Sequence, residues 1–574
     1  MLDLRIEGGT VVDGTGAPGR IADVAVRDGR VVEIDEQMRR GEPAARTVAA
    51  ADLVVAPGFV DLHTHYDAQL FWDATASPSP LHGVTTVFGG NCGFGLAPSG
   101  DAHADYLARL MSRVEGIPLA AMDAALTWDW TTFDEWSSRL EESGVAVNAG
   151  FLAGHSALRR AAMGEESVTA PADDTHIASM AGLLRDALRA GAMGFSTSRA
   201  PTHHDGDGAP VPSRAATDRE LLELCAVVRE FPGTQLEAIV PGCLNGFSDD
   251  EMALLASMSR TAQRPLNWNV LGVGDTESHE HQLDASDHAR RAGGRVVALT
   301  LPQGMSIRLT FLSGMVLDAL PGWADLFALP IPERMRVLTD ADRRQALDEG
   351  ARSPDAGIIG ALARWRRLRV VETFAPENAP FEGKTVGEIA DVTGKADFDA
   401  LLDVVVADEL RTGLSPQMPP VSDEVWRARA EVWRDERTVV GASDAGAHLD
   451  MMCGATYSSF LVGEAVRLRG LLTMEEAVHQ LTDVPARLYG LRDRGRIAQG
   501  AHADLVVFDP ETVGPRPDRT HHDLPGGASR LMAEADGFAH VFVNGTEIVR
   551  DGQFTGATPG RLLRSGLDTE TVTP

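Results

Sequence analysis

Val54-Val55-Ala56-Pro57-Gly58-Phe59-Val60-Asp61-Leu62-His63-Thr64-His65 reads as a buried apolar strand that carries two histidines at its C-terminal end. Residues i and i+2 of a strand face one side, so His63 and His65 can converge on a single metal ion. An isolated His-x-His pair is a weak signal, more often a surface or core pair than a ligand pair. The rest of the chain reverses those odds.

Seven further runs of strand length follow the first, which spans Val55 to Leu62. They are Val84 to Gly89, Val145 to Ala153, Ala192 to Ser196, Thr234 to Val240, Pro265 to Leu271, Arg295 to Leu301 and Thr438 to Ser443. Helical patterns alternate with them, the signature of βα units around a parallel sheet. Eight such units predict an α/β fold, a (β/α)8 TIM-like barrel, whose chemistry sits at the C-terminal strand ends. His63 and His65 stand at one of those ends. The stretch between the seventh and eighth strands is far longer than a crossover needs and holds helical patterns such as Asp340 to Arg352 and Val421 to Asp435. We read about 302–437 as a helical insertion over the barrel mouth, shielding the site from water. Its apolar Met315, Trp323 and Phe327 would suit a bulky hydrophobic ligand or ordinary packing. Both chain ends carry short alternating strands, Leu4 to Gly9 and Val24 to Ile34, then Ala503 to Pro510 and His540 to Val549. They predict a small β-sandwich built from both termini, with one half in 1–56 and the other, with a C-terminal tail, in 491–574, around a barrel of 57–490.

A formal net charge of −31 would repel nucleic acid and anionic membranes, so neither is expected as a partner. The N-terminus lacks a signal-like pattern and no apolar stretch has membrane-spanning length, which makes the cytoplasm the expected location. Cys92, Cys225, Cys243 and Cys453 are too few and too scattered for a disulfide framework and read as thiols. Arginine supplies nearly all the positive charge. The only lysines, Lys384 and Lys395, lie in a segment that reads as helical, and a Schiff base or a carboxylated lysine bridging two metals would have to come from one of them.

Asp61-Leu62-His63-Thr64-His65 after the first strand, Gly90-Asn91-Cys92-Gly93 after the second and Ser443-Asp444 after the last together resemble the amidohydrolase superfamily. Gly154-His155-Ser156-Ala157-Leu158-Arg159, Gly191-Ala192-Met193-Gly194-Phe195-Ser196-Thr197 and the run Gly500 to Pro510 look like its N-acyl-D-amino-acid deacylase, or D-aminoacylase, branch. The likeness covers nearly the full length. It implies that His63 and His65 are metal ligands, that Cys92 is a thiolate ligand able to bridge two ions, and that Asp444 is both a ligand and the catalytic base. The implied cofactor is a divalent metal, one or two ions, zinc or iron. Independently of the resemblance, a divalent metal lowers the pKa of water toward neutrality, and a nearby carboxylate can take its proton and pass it to a leaving amine.

The chain also departs from that branch. The branch has histidines at the ends of the fifth and sixth strands, which hold its tightly bound zinc. Here these strands read Gln235-Leu236-Glu237-Ala238-Ile239-Val240 and Leu266-Asn267-Trp268-Asn269-Val270-Leu271-Gly272. Gly272 stands where a lysine would meet the substrate carboxylate, and Leu301-Pro302-Gln303 replaces a Tyr-Pro-Tyr element. A glutamate facing a barrel interior is unfavourable unless ligated or paired, so Glu237 reads as an oxygen ligand or as the partner of an arginine such as Arg199. His155, after the third strand, reads as a ligand, a substrate contact or a hydrogen-bonded structural residue. His203 and His204, in the loop from Arg199 to Arg214 that overhangs the site, could reach a metal but read first as substrate contacts or as solvated residues. His448 and Asp450 could orient the ligands from behind.

The function expected first is metal-dependent hydrolysis of an amide or related C–N bond in a small molecule, with an activated water as nucleophile. The alternative is a non-haem iron monooxygenase on the same fold, hydroxylating a hydrophobic natural product such as a diterpenoid, because two histidines with carboxylates make an oxygen-rich site suited to iron. A third reading is a non-catalytic binding protein with a decayed site. The fold by itself does not choose among them, and nothing in the sequence reads on oligomeric state.

Overall fold

The barrel strands, numbered β1 to β8, are Phe59–Asp61, Val84–Gly89, Asn148–Phe151 with its continuation Ala153–Gly154, Gly194–Ser198, Gln235–Ile239, Leu266–Leu271, Val296–Thr300 and Thr438–Val440. They belong to a computed structural model that describes residues 1–36, 42–100, 102–274, 278–304, 307–314, 316–417 and 420–574. β1, β2 and β3 pair in parallel, and the second part of β3 leads into a parallel run through β4, β5, β6, β7 and β8. The ring closes between β8 and β1 through a bridge of Thr64 with Ala445. There the His65 N–H donates to the Ala445 carbonyl (2.7 Å) and the Asp444 N–H to the His63 carbonyl (3.0 Å). Inside the barrel, Val60, Phe88, Val297 and Leu299 cluster with Tyr489. Asn267 ties this apolar cluster to a polar layer: its amide donates to Tyr489 Oη (3.2 Å), and in register with it lie Glu237 and Ser196.

The expected first strand is two strands. Val54–Pro57 pairs with Leu2–Val11 and with Leu505–Phe508 in the terminal sheet, and only Phe59–Asp61 enters the barrel. Gly58 makes the switch, because a Cβ there would fall 2.1 Å from Thr85 Oγ1. His63 and His65 therefore follow the strand instead of ending it. The third strand is also shorter than expected. The Val145 carbonyl accepts from the Gly560 N–H of the C-terminal tail (2.8 Å) in place of a barrel neighbour.

Among the described residues the terminal sheet draws nine strands from both ends of the chain, and Leu4, Ile6, Val24, Val55, Leu505, Val507 and Phe542 fill its core. The fold is thus an α/β barrel with a β-sandwich domain. Between β7 and β8 the insertion has a core of its own and an antiparallel hairpin, Leu368–Glu372 with Gly413–Pro416. Trp323 is fully buried in that core against Trp365, with Phe327 packed at its edge, so these two aromatics hold the insertion together and are not offered to a ligand. Met315 lies outside the described residues. Lys384 and Lys395 flank the helix Val386–Thr393 and are not part of it; Lys395 pairs with Asp403, and Lys384 Nζ lies over the Phe381 ring.

The segment after 491 does more than complete the sandwich. Residues 514–536 turn back toward the barrel mouth, where the Leu531 N–H donates to the Leu449 carbonyl (2.6 Å) and Thr520 Oγ1 to Glu372 (2.6 Å). Residues 555–574 run along the barrel, exchanging backbone bonds with Ala149 through Arg561 and Leu563. Among the described residues no helix is long and apolar enough to cross a membrane, and all four cysteines are free.

Candidate metal centre

Four donors meet beside the closing seam of the barrel. Cys92 Sγ lies 3.4 Å from His63 Nε2 and 3.9 Å from His65 Nε2, and Asp444 Oδ1 lies 3.6 Å and 3.0 Å from the same two nitrogens. Tetrahedral coordination with bonds of about 2.0–2.3 Å spaces donors roughly 3.3–3.8 Å apart. Ligand atoms of His63, His65 and Cys92 lie within 4.8 Å of one another, as do those of His65, Glu115 and Asp444, so the two imidazoles and the sulfur fit three positions of one divalent ion with Asp444 beside them. A further observation points the same way. Glu237 lies wholly buried beside them; its Oε2 accepts the Cys92 N–H (2.9 Å), and its Oε1 has no partner among the described residues. A buried carboxylate oxygen left bare is costly unless a cation or proton meets it.

Glycines explain why the backbone can bring these groups together. Gly90 has φ +72°, and a Cβ there would fall 2.2 Å from the Leu152 carbonyl oxygen. The tight approach turns the chain so that Asn91 can donate to the Phe88 carbonyl (2.9 Å) while Cys92 points at the histidines. On the opposite side, Gly446 (φ +93°) lies against His65, whose carbonyl carbon and oxygen a Cβ would meet at 2.7 Å. Cys92 and Asp444 themselves hold left-handed backbones (φ 58° and 60°). Such strain is uncommon for side-chain-bearing residues and collects at functional sites.

The electrostatics are those of an acidic pocket awaiting positive charge. Asp61, Asp67, Glu115 and Glu237 are buried around His63, His65 and the partly exposed Asp444, and among the described residues none of these five acids pairs with arginine or lysine. Burial pushes Glu237 up to about 8 and Asp61 to about 7, each only partly relieved by hydrogen bonds. Burial, reinforced by the neighbouring His65, pulls His63 down to about 3. His65 goes the other way: burial opposes its charge, but Glu115 and Asp444 on its two nitrogens outweigh it and lift it to about 10. Burial would likewise raise Asp444, yet its bond to His65 and the adjacent imidazoles hold it below the usual carboxylate range. Burial and the surrounding acids push the Cys92 thiol up, so it holds its proton.

The other expected residues fall at graded distances from this centre. His448 Nε2 faces Asp444 Oδ2 at 3.7 Å. His203 bonds Ser198 Oγ (2.8 Å) and lies within the field of Asp444 and His65. His204 turns outward to Arg214. His155 is not among the donors; it is wholly buried between Thr197 Oγ1 (2.9 Å) and Glu220 (2.8 Å), which also pairs with Arg159. Arg199 binds Asp218 (2.6 Å), so it is not the counter-ion of Glu237.

Glu115, Asp67 and Asn269 were not expected at the centre. Asn269 Nδ2 lies 3.2 Å from His63 Nε2. Asp67 accepts the Gly90 N–H (3.2 Å). Glu115 Oε1 stands 3.5 Å from His65 Nδ1. One signal for Glu115 was present: an acid as the last residue of the amphipathic helix Ala104–Glu115, directly before Gly116, opposes the helix dipole.

A model of the amidohydrolase family matches residues 46–553. The chain is similar to D-aminoacylase of Alcaligenes xylosoxydans xylosoxydans, with 29% identity over 564 residues, 98% of this chain and 97% of that protein. A solved D-aminoacylase, studied for the role of its binuclear metal centre, shares 26% identity with a TM-score of 0.66, covering 98% of this chain and 100% of that one. An N-acyl-D-glutamate deacylase from Bordetella bronchiseptica, solved with zinc and a phosphonate inhibitor that mimics the tetrahedral intermediate, shares 25% identity with a TM-score of 0.62 over 98% of this chain and 100% of that one.

Proposed function

The chain belongs to the amidohydrolase family, and on that premise we propose that it is a zinc-dependent hydrolase that cleaves the amide bond of small N-acyl compounds, N-acyl-D-amino acids being the first class to test. The observation that carries this reading is that Cys92 Sγ lies 3.4 and 3.9 Å, and Asp444 Oδ1 3.6 and 3.0 Å, from His63 Nε2 and His65 Nε2. The sulfur favours zinc, since soft thiolate ligands select zinc over the oxygen-rich surroundings that suit mononuclear non-haem iron. None of the likenesses described above is to an oxygenase.

His63 and His65 would hold the ion through Nε2, Cys92 through Sγ and Asp444 through Oδ1, with Glu237 Oε1 as a further oxygen donor. A divalent ion there supplies Lewis acidity toward a carbonyl and lowers the pKa of water toward neutrality. Asp444 turns its second oxygen toward His448, 3.7 Å away, so Oδ2 is the atom that receives the proton of the attacking water. Asp444 then passes that proton to the departing nitrogen. Burial of both ligand histidines keeps bulk water from competing for the donors.

The test pairs metal analysis with assays on N-acyl-D- and N-acyl-L-amino acids and on acyl amides without a carboxylate, since Gly272 leaves no lysine to grip one. About one zinc per chain and chelator-sensitive amide cleavage are expected, with Asp444→Ala lowering kcat at least about a hundredfold. Iron with substrate-dependent oxygen uptake, or full activity in His63→Ala, would overturn the proposal.

A further inference from the structure

His65 is held from both sides. Nε2 faces the donor cluster, 3.0 Å from Asp444 Oδ1 and 3.9 Å from Cys92 Sγ, while Nδ1 faces Glu115 Oε1 at 3.5 Å. His63 has no such support, because its Nδ1 is buried without a partner among the described residues. A neutral imidazole carries one proton on either nitrogen, and it can offer a lone pair to a metal only from the other.

Glu115 is an expensive residue to keep in this place. It is 2% exposed, it forms no ion pair with arginine or lysine among the described residues, and it ends a helix whose dipole disfavours a negative charge there. The fold nevertheless fixes it. The Glu115 carbonyl accepts the His448 N–H, and Gly116 adopts φ +63° in close approach, with His448 Cα 3.0 Å from where a Cβ would stand. The helix end is thereby fastened to the same loop that carries Asp444. Packing alone does not call for a carboxylate in that position, whereas a histidine that must point one nitrogen at a metal does.

We infer that Glu115 is a positioning residue for the metal centre: it accepts the Nδ1 proton of His65 and so fixes the imidazole in the tautomer and orientation that present Nε2 to the ion. Carboxylates placed behind metal-bound histidines in this way also raise the ligand's basicity, and losing one typically costs about 10–100-fold in metal affinity. The inference rests on the metal reading above but concerns binding, not turnover.

Zinc affinity of the purified full-length chain, measured by competition with a chromophoric chelator at fixed pH, separates the two. Glu115→Gln, which preserves shape and an acceptor while removing the charge, is expected to weaken zinc binding about tenfold, and Glu115→Leu, which removes both, to weaken it about 10–100-fold. Nitrogen-15 spectra of the zinc-loaded protein should show the His65 Nδ1–H resonance shifted in Glu115→Gln while that of His63 stays in place. Melting curves of the metal-free variants control for folding. Unchanged zinc affinity and an unmoved His65 resonance in Glu115→Gln would overturn the inference and leave the metal reading standing. A wild-type chain that binds no zinc would remove both.

Discussion

Glu237 sets a conflict that only a cation or a proton can resolve. One of its oxygens is satisfied by the Cys92 N–H and the other is bare, and burial holds its carboxyl up at about 8. A carboxyl raised in the folded state above its unfolded value binds a proton more tightly when folded. That contribution to stability is fully present below about pH 4.5 and is lost as pH rises through about 8. Metal-free protein is therefore expected to melt at progressively lower temperature from pH 5 to pH 8, and Glu237→Gln, which cannot ionise, should remove part of that slope, Asp61, Asp67 and Glu115 supplying the rest because burial raises them too. Melting curves at three pH values read the difference; parallel pH profiles for the two proteins would show that Glu237 does not titrate in this window. At this scale the sequence was legible where chemistry stands in short motifs, as with His63, His65, Cys92 and Asp444. Glu237 stood out because an acid sat in an apolar strand pattern. Glu115 did not, because it reaches His65 from a helix fifty residues on, and a contact across such a separation leaves no spacing to read.

The loops that follow the strands do as much as the strands to build the centre. Gly446 holds φ +93° with His65 backbone atoms 2.7 Å from where a side chain would start. Gly208, by contrast, also has positive φ (+82°) but nothing within 4 Å. Replacing either by alanine costs about 1 kcal/mol or more for the left-handed backbone. Only Gly446→Ala also pushes the Asp444 loop away from His65. It is expected to lose zinc affinity and to melt lower than Gly208→Ala, which should retain wild-type zinc content. Equal zinc content in the two variants would show that the seam tolerates the displacement. Strand positions were largely legible from apolar runs, but run length does not say which sheet a segment joins. Val54 to Asp61 looked continuous because both parts are buried, and the break is marked only by Pro57-Gly58, where the chain leaves the terminal sheet for the barrel.

Across the whole molecule, the C-terminal segment meets the insertion where Thr520 docks on a buried ion pair within the insertion, beside the more exposed pair of Arg519 with Glu382. Arg308, 4% exposed, donates from Nη2 to Glu372 of the insertion hairpin and to Thr520 Oγ1 (3.0 Å), and Glu372 in turn accepts from the Thr520 N–H and hydroxyl. Burial would raise the Glu372 carboxyl, but Thr520 and Arg308 outweigh it and hold it below its ordinary value. The sequence suggests an insertion between the last two strands and paired termini, because composition and strand style change at their borders. It could not show that residues 514–536 leave the sandwich to grip the insertion, since that contact joins segments about 150 residues apart through side chains that are ordinary in either. Removing one member of a buried pair leaves the other charge uncompensated, at a cost of about 3–5 kcal/mol. Glu372→Ala is therefore expected to loosen the insertion from the C-terminal segment, with faster proteolytic cleavage within 307–416. Zinc content should remain that of wild type, because Arg308 and Glu372 contribute no donor to the centre. Glu372→Ala with Arg308→Met removes both charges and should recover much of the lost stability. If the single variant resists protease as well as wild type does, or the double variant is no better than the single, the joint between insertion and C-terminal segment does not depend on this pair.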